Sequence, residues 1–343
     1  MIEVCVQQPT RKGEVMGNVT TIGIDLAKNS FSVRGVDAAG AVVLRRTVSR
    51  GRVLELLMQQ PPCLIGLEAC SGAHEWARRQ QFGHRVKLMA PRFVAPYRKN
   101  GKNDGNDAEA ICEAVSRPSM RFVPIKTAEQ QAVLCLHRVR QGFIEERTAT
   151  INRLRGLLAE FGFVLSRSTA TVRREAQALV ERVPAHAARA LRDLLEHIRL
   201  LDVRVREYEH SIEAHARENP SAQLVLKRQG VGPITASAVV ASVGDVREFK
   251  NGRQFSAWLG LVPRQHSTGG KQRLGHITGR GDPYLRTLLV MGARSVLQRA
   301  VGKNDPLSRW ALAVRARRGY HRACVAVAAK NARVLWAMLS HGA

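Results

Sequence analysis

Acidic residues are scarce: 28 Asp and Glu stand against 54 Lys and Arg in 343 residues, a formal net charge of +26. That balance excludes an acidic, solvating chain. Also missing is any run of 18 or more apolar residues, so composition alone offers no membrane-spanning helix. Residues 1–18 lack the apolar stretch of a secretory signal. No Cys-x-x-Cys pair occurs among Cys5, Cys63, Cys70, Cys112, Cys135 and Cys324, which argues against structural zinc. Most of these cysteines lie inside apolar runs, as small buried hydrophobes do, and a reducing cytoplasmic location fits them. Internal repeats and long low-complexity tracts are absent too. What is present is a 45% hydrophobic chain, too apolar for wholesale disorder and long enough for two or three domains.

The charge points to a polyanion. An excess of this size favours counterion-releasing contacts with phosphates. Arg outnumbers Lys by 43 to 11. The planar Arg fork suits phosphates and base edges, so nucleic acid is favoured over an anionic membrane surface. The excess is uneven. Residues 1–120 carry 17 basic and 11 acidic side chains, and residues 121–343 carry 37 and 17. The first part is closer to an enzyme core and the second to a binding surface.

The pattern predicts α/β structure followed by all-α structure. Apolar strands are expected over 21–25, 30–36, 42–48, 63–68 and 86–90, with a hairpin at Asp37-Ala-Ala-Gly40. Helices are expected over 53–59, 72–81 and about 104–115, with a polar, basic loop over 91–106. That order matches the ribonuclease H-like fold. Residues 127–218 read as long helices. In the second, Leu194, Ile198, Leu201, Val205, Tyr208 and Ile212 form a heptad seam, while Arg140 and Arg147 interrupt the stripe of the first. The seam would either dimerise the protein as an intermolecular coiled coil or fold back as a hairpin within one chain. Residues 221–343 read as helices with Gly-rich turns.

Two strands end in acids, Asp25 and Glu68, and a helix start carries Asp104 and Asp107. In the ribonuclease H-like arrangement such acids converge. Gathered carboxylates repel one another unless cations neutralise them. Hard Mg²⁺ takes oxygen ligands, and two such ions can clamp the oxygens of a phosphodiester. Arg98, Lys99 and Lys102 would approach the same phosphates. The plainer reading of Asp104 or Asp107 is a helix cap.

The segment Gln229-Gly-Val-Gly-Pro-Ile-Thr-Ala236 has the form of a helix-hairpin-helix turn, with Gly230 and Gly232 freeing backbone amides for phosphate. A plain helical junction is the alternative. Residues 263–273 form a polar, Gly-rich segment with Ser267 and Thr268 beside Gly269-Gly270, among Arg264, Lys271, Arg273, Arg280 and Arg286. Its serine is either a nucleophile whose attacked phosphate the arginines stabilise, or part of a phosphate-contacting loop. The basic stretch 299–333 suits backbone binding or a solvated helix face.

Together these motifs resemble the DEDD-type, Piv- and MooV-related insertion-sequence transposase family. The resemblance rests on Ile22-Gly-Ile-Asp25, Gly66-Leu-Glu68-Ala and Asn103-Asp104-Gly-Asn-Asp107 in the first part. In the last part it rests on Gly230-Val-Gly-Pro-Ile-Thr-Ala236, Phe255 to Pro263, His266-Ser-Thr-Gly-Gly-Lys271 and Gly279-Arg-Gly-Asp-Pro-Tyr-Leu-Arg286. It implies a flexible extension over 1–18, a RuvC-like ribonuclease H-fold domain over 19–122, a coiled-coil domain over 123–220 and a C-terminal transposase domain over 221–343. It further implies an RNA-guided DNA recombinase that excises and inserts its own element. Asp25, Glu68, Asp104 and Asp107 would bind Mg²⁺. Ser267, with Thr268 as rival, would form a phosphoserine link to DNA. The partners implied are element-end and target DNA, an element-encoded guide RNA, and further copies of the chain as a dimer assembling to a tetramer on the bacterial nucleoid, with no membrane. Two departures are residues 1–18, which extend beyond the usual start and hold Met16 as a candidate initiator, and Thr278-Gly279 in place of a more usual serine-lysine pair. A Holliday-junction endonuclease, needing the acids but no serine, and a non-catalytic nucleic-acid bridge are the competing readings.

Overall fold

The computed structural model of the chain describes residues 18–80, 83–99, 101 and 103–342. The N-terminal extension before Asn18, Met16 within it, and Lys102 lie outside the described residues. The chain forms two compact units, residues 1–127 and 128–343.

The first unit is built on a mixed sheet. Its elements in order are β1 (Thr21–Leu26), β2 (Ser30–Val36), β3 (Val42–Ser49), α1 (Val53–Met58), β4 (Leu64–Glu68), α2 (Ala73–Arg79), β5 (Arg85–Met89), α3 (Pro91–Val94), α4 (Asp104–Val115) and β6 (Phe122–Val123). The strand order is β3-β2-β1-β4-β5-β6. β1 pairs antiparallel with β2 and parallel with β4, and β4 is parallel to β5. Neighbouring residues of a strand face opposite ways. On one face Ile22, Ile24, Phe31, Val33, Ile65 and Leu67 join Leu57 of α1 and Trp76 of α2 in a dry core. Phe31 meets Trp76 edge to face at 4.8 Å. The other face carries glycines where α4 lies. A Cβ on Gly23 would stand 2.4 Å from the Ala108 carbonyl oxygen, and one on Gly66 would stand 2.7 Å from the Val115 Cβ. The expected basic loop after β5 begins instead with the short helix α3, where Pro91 at the first position supplies a preset φ.

The second unit holds α5 (Ala128–Ala159), α6 (Thr169–Val180), α7 (Ala185–Glu218), α8 (Pro220–Leu226), α9 (Pro233–Val243), α10 (Gly252–Trp258), β7 (Pro263–Gln265), β8 (Leu274–Ile277), α11 (Pro283–Gln298), α12 (Pro306–Arg318) and α13 (Tyr320–His341). The α5 and α7 helices pack antiparallel. The heptad seam is therefore filled within the chain, and it is not a free face awaiting a second copy. Leu201, Val205 and Ile212 are buried, and Tyr208 meets Phe143 of α5. The two arginines that interrupt the α5 stripe are answered across this interface: Arg140 pairs with Glu209 at 2.5 Å and Arg147 with Asp202 at 2.7 Å. Helix α6, which the sequence reading missed, packs Val172, Ala176 and Val180 onto Leu191, Leu195 and Ile198 of α7. Among the described helices α13 alone is long and apolar enough to cross a membrane, and its buried face, Ala323, Val327, Ala328, Ala332 and Leu335, lies in the core with α9, α10, α11 and α12.

Candidate active site and nucleic-acid contacts

The glycines of β1 and β4 locate the first two acids. Gly23 and Gly66 point at α4, so Asp25 and Glu68, two residues further along each strand, emerge on that same face. The parallel register sets Ile24 beside Leu67 and so makes Asp25 and Glu68 the next neighbours at the strand ends. Both are partly buried. Their charge is felt locally: burial first, then the carboxylates of Glu68 and Asp25, push the nearby Cys70 thiol above its ordinary value. Two glycines that seat a helix thus also put two carboxylates at adjacent strand ends on the helix-facing side of the sheet.

Helix α4 supplies the other two acids, but it holds them differently. Asn103 is its N-cap and accepts a hydrogen bond from the Asn106 amide at 2.8 Å. The capping role that either aspartate could have filled therefore falls to Asn103. Asp104 is exposed, whereas Asp107 is buried and takes a 2.5 Å hydrogen bond from Arg98 Nε. Lys99 pairs in the same way with Glu109 at 3.2 Å, and Arg34 reaches Glu109 at 2.7 Å. Two cations expected to face phosphate, Arg98 and Lys99, are thus engaged by α4 acids. Among the described residues, no three His, Cys, Asp or Glu side chains are grouped so as to hold a metal ion together. Asp25 and Glu68 are neighbours at the strand ends; Asp104 and Asp107 do not complete a four-carboxylate cluster in this structure. The donor set is nonetheless all carboxylate oxygen, the chemistry that suits a hard divalent cation.

The hydroxyl segment of the second unit is a β-hairpin where the sequence reading expected a loop. β7 and β8 pair antiparallel, and Thr268 and Lys271 bridge at its tip. Gly269 and Gly270 turn there with φ of +57° and +75°, a two-residue turn that needs left-handed backbone at both positions. Ser267 stands exposed just before the tip. Its Oγ accepts hydrogen bonds from Gln265 Nε2 at 2.9 Å and from the Arg273 amide at 3.4 Å. Among the described residues no acid or histidine is hydrogen-bonded to it. Arg264, Lys271, Arg273 and Arg280 are exposed and form no ion pairs among the described residues, so their charge is available to an anion. Arg286 is spent internally: its Nη1 donates to the Leu259 carbonyl at 3.2 Å.

The expected hairpin turn joins α8 to α9. Gly230 has φ of +83°, but it faces inward rather than toward solvent. A Cβ there would meet Val296 at 2.7 Å, and one on Gly292 of α11 would meet the Gly230 oxygen at 1.9 Å. Gly232 opens outward and caps α9. One feature absent from the sequence reading is a buried polar chain beneath this region. His137 lies 2.9 Å from the Tyr284 hydroxyl and 3.0 Å from Ser237 Oγ, which is itself 2.9 Å from His215. Burial, aided by the charges of Arg140 and His215, lowers the His137 pKa to about 4. Nothing in the local sequence around His137 signals this, because its partners come from three other helices.

Comparison with known proteins decides the family. A family profile described as "Transposase IS116/IS110/IS902 family" matches residues 222–309, and a DEDD transposase profile of IS110 type matches residues 22–163. A probable family 20 transposase of Pseudomonas aeruginosa is 52% identical over 94% of this chain and 97% of its own length. The chain belongs to the IS110/IS116/IS902 transposase family. The transposase for insertion element IS1328 of Yersinia enterocolitica is 42% identical over 95% of this chain and 98% of its own. That for IS1111A of Coxiella burnetii is 41% identical over 95% and 91%. The two family matches fall on the acid-bearing sheet and on the hairpin-bearing helical unit, the two places where the residues of interest stand.

Proposed function

We propose that this transposase cuts and rejoins the DNA of its own insertion element, with Asp25 and Glu68 at the centre of the chemistry. The observation that carries this is their place beside each other at the ends of neighbouring parallel strands, on the face that α4 covers. These four acids are the residues that would hold Mg²⁺, which when bound would activate and stabilise oxygens at a phosphodiester. Ser267 would attack the phosphorus through Oγ: its hydroxyl proton leaves to solvent, a Ser–O–P bond forms, the P–O bond to the leaving strand breaks, and the departing oxygen takes a proton from solvent. Exposed Arg264, Lys271, Arg273 and Arg280 would neutralise the charge gathered on that phosphate. Base reading would be delegated to an element-encoded guide RNA, in keeping with a basic surface that binds backbone rather than sequence. Exchange of two DNA ends calls for at least two copies of the chain, so a dimer assembling to a tetramer is part of the proposal.

A second reading is metal-dependent hydrolysis without the serine, as in a junction endonuclease. The observation favouring it is that Ser267 has no hydrogen-bonded base among the described residues. The test is cleavage of element-end DNA by Asp25→Asn and Glu68→Gln. Loss of cleavage by at least about 100-fold with the fold retained supports the acid centre, since charge stabilisation of this kind is worth several kcal/mol. Unimpaired cleavage contradicts it.

A further inference from the structure

A groove of about 1190 Å³ opens at the β3 edge of the sheet, lined by β2, β3, α1 and the first turn of α4 with Asp104. It exceeds the roughly 300–1,000 Å³ typical of small-ligand cavities, and it runs out to the sheet edge, as an extended polymer requires. Strand register orders its floor. Asp25 stands beside Ser32, which stands beside Thr47; one row over, Gly23 stands beside Arg34 and Arg34 beside Arg45. Alternate residues share a face, so exposed Thr47 and Arg45 and the buried Ser32 lie on the face that carries Asp25, while Arg46, opposite Val33, faces the α1 side. Arg45 and Arg46 are both exposed on β3, and neither forms an ion pair among the described residues. The Arg45 guanidinium reaches the first turn of α4, where a Cβ on Gly105 would lie 3.7 Å from its Nη2. Edge strands do carry charge to block pairing with other sheets. That role does not call for a hydroxyl row leading from the edge to the acids.

We propose that this groove is a track for the DNA backbone that wraps the β3 edge, with Arg45 holding a phosphate on the Asp25 side, Arg46 one on the α1 side, and Thr47 and Ser32 marking the row that leads to Asp25. The inference rests on the reading of Asp25 and Glu68 as the DNA-processing centre. Two strand spacings of about 4.8 Å across and two residues of about 3.4 Å along place Arg45 roughly 12 Å from Asp25. At that separation a phosphate held on Arg45 would flank the reacting one rather than be it.

The experiment is fluorescence anisotropy on the full chain without divalent metal, over a series of salt concentrations. The probes are a labelled DNA duplex and a labelled RNA hairpin. The variants are Arg45→Gln/Arg46→Gln and Arg45→Lys/Arg46→Lys, each checked for unchanged circular dichroism. The glutamine pair is expected to bind DNA about tenfold more weakly, with the log–log salt slope shallower by about two, while the lysine pair restores both because a phosphate needs only the charge. Wild-type affinity and slope in the glutamine pair overturn the track. Loss of RNA binding with DNA binding intact also overturns it and assigns the groove to RNA. A wild-type chain that binds no DNA at any salt overturns the DNA-processing reading itself, and the track with it.

Discussion

Arg98 donates its Nε–H to a carboxylate oxygen of Asp107 at 2.5 Å, so one of the four acids spends its charge on a cation of its own chain. An opposite charge at that distance competes with any metal for the same oxygen. Arg98→Ala should therefore tighten Mg²⁺ binding several-fold, as measured by titration calorimetry. Equal or weaker binding in the variant would place Asp107 outside the metal site.

Gly23 sets how closely α4 approaches the sheet. Gly23→Ala would put a methyl carbon 2.4 Å from backbone atoms of Ala108 and Cys112. Overpacking against a backbone that cannot yield should cost about 3 kcal/mol in urea unfolding. Gly40→Ala is the control, since nothing lies within 4 Å of a Cβ there and only its φ of +83° is strained. That change should cost about 1 kcal/mol. Equal losses at the two sites would contradict the close-packing account.

The buried His137 makes the second unit acid-sensitive. Its pKa falls from 6.5 to about 4 on folding, so it is neutral in the folded chain at neutral pH. Between those values the unfolded chain binds the extra proton and the folded chain does not. Stability is therefore full above pH 6.5 and falls as pH drops toward 4, by about 3 kcal/mol in total. Thermal melts of wild type and His137→Gln over that range check this: the variant should start lower and lose less.

Leu201 tests the helical hairpin. It is 3% exposed in a seam filled by α5 of the same chain. Leu201→Ala should cost about 3 kcal/mol by leaving a cavity, whatever the protein concentration. A loss that vanishes at high concentration would instead point to a seam shared between copies.

The sheet, and the placing of Asp25 and Glu68 at its strand ends, were legible because strands write themselves in short apolar runs and a Gly-x-acid ending repeats in β1 and β4. The partner of the α7 seam was not legible, because a heptad stripe states that a face is buried and not which helix buries it. Arg140 and Arg147 interrupt the α5 stripe in sequence, and their partners Glu209 and Asp202 lie more than fifty residues away on α7, beyond the reach of a local pattern. Gly230 shows the same limit: its positive φ follows from the turn, but its inward packing depends on Gly292, distant in sequence. The β7–β8 hairpin was hidden because its strands are short, exposed and polar, with no alternating pattern to read.

The most direct test of the account is covalent trapping. The full chain is incubated with Mg²⁺, element-end DNA and RNA transcribed from the element's flank, and resolved on a denaturing gel beside Ser267→Ala and Thr268→Ala. A protein–DNA adduct formed by wild type and Thr268→Ala and lost in Ser267→Ala is the predicted result. Cleaved DNA with no adduct in wild type would contradict it, leaving the acids to act by hydrolysis without the serine.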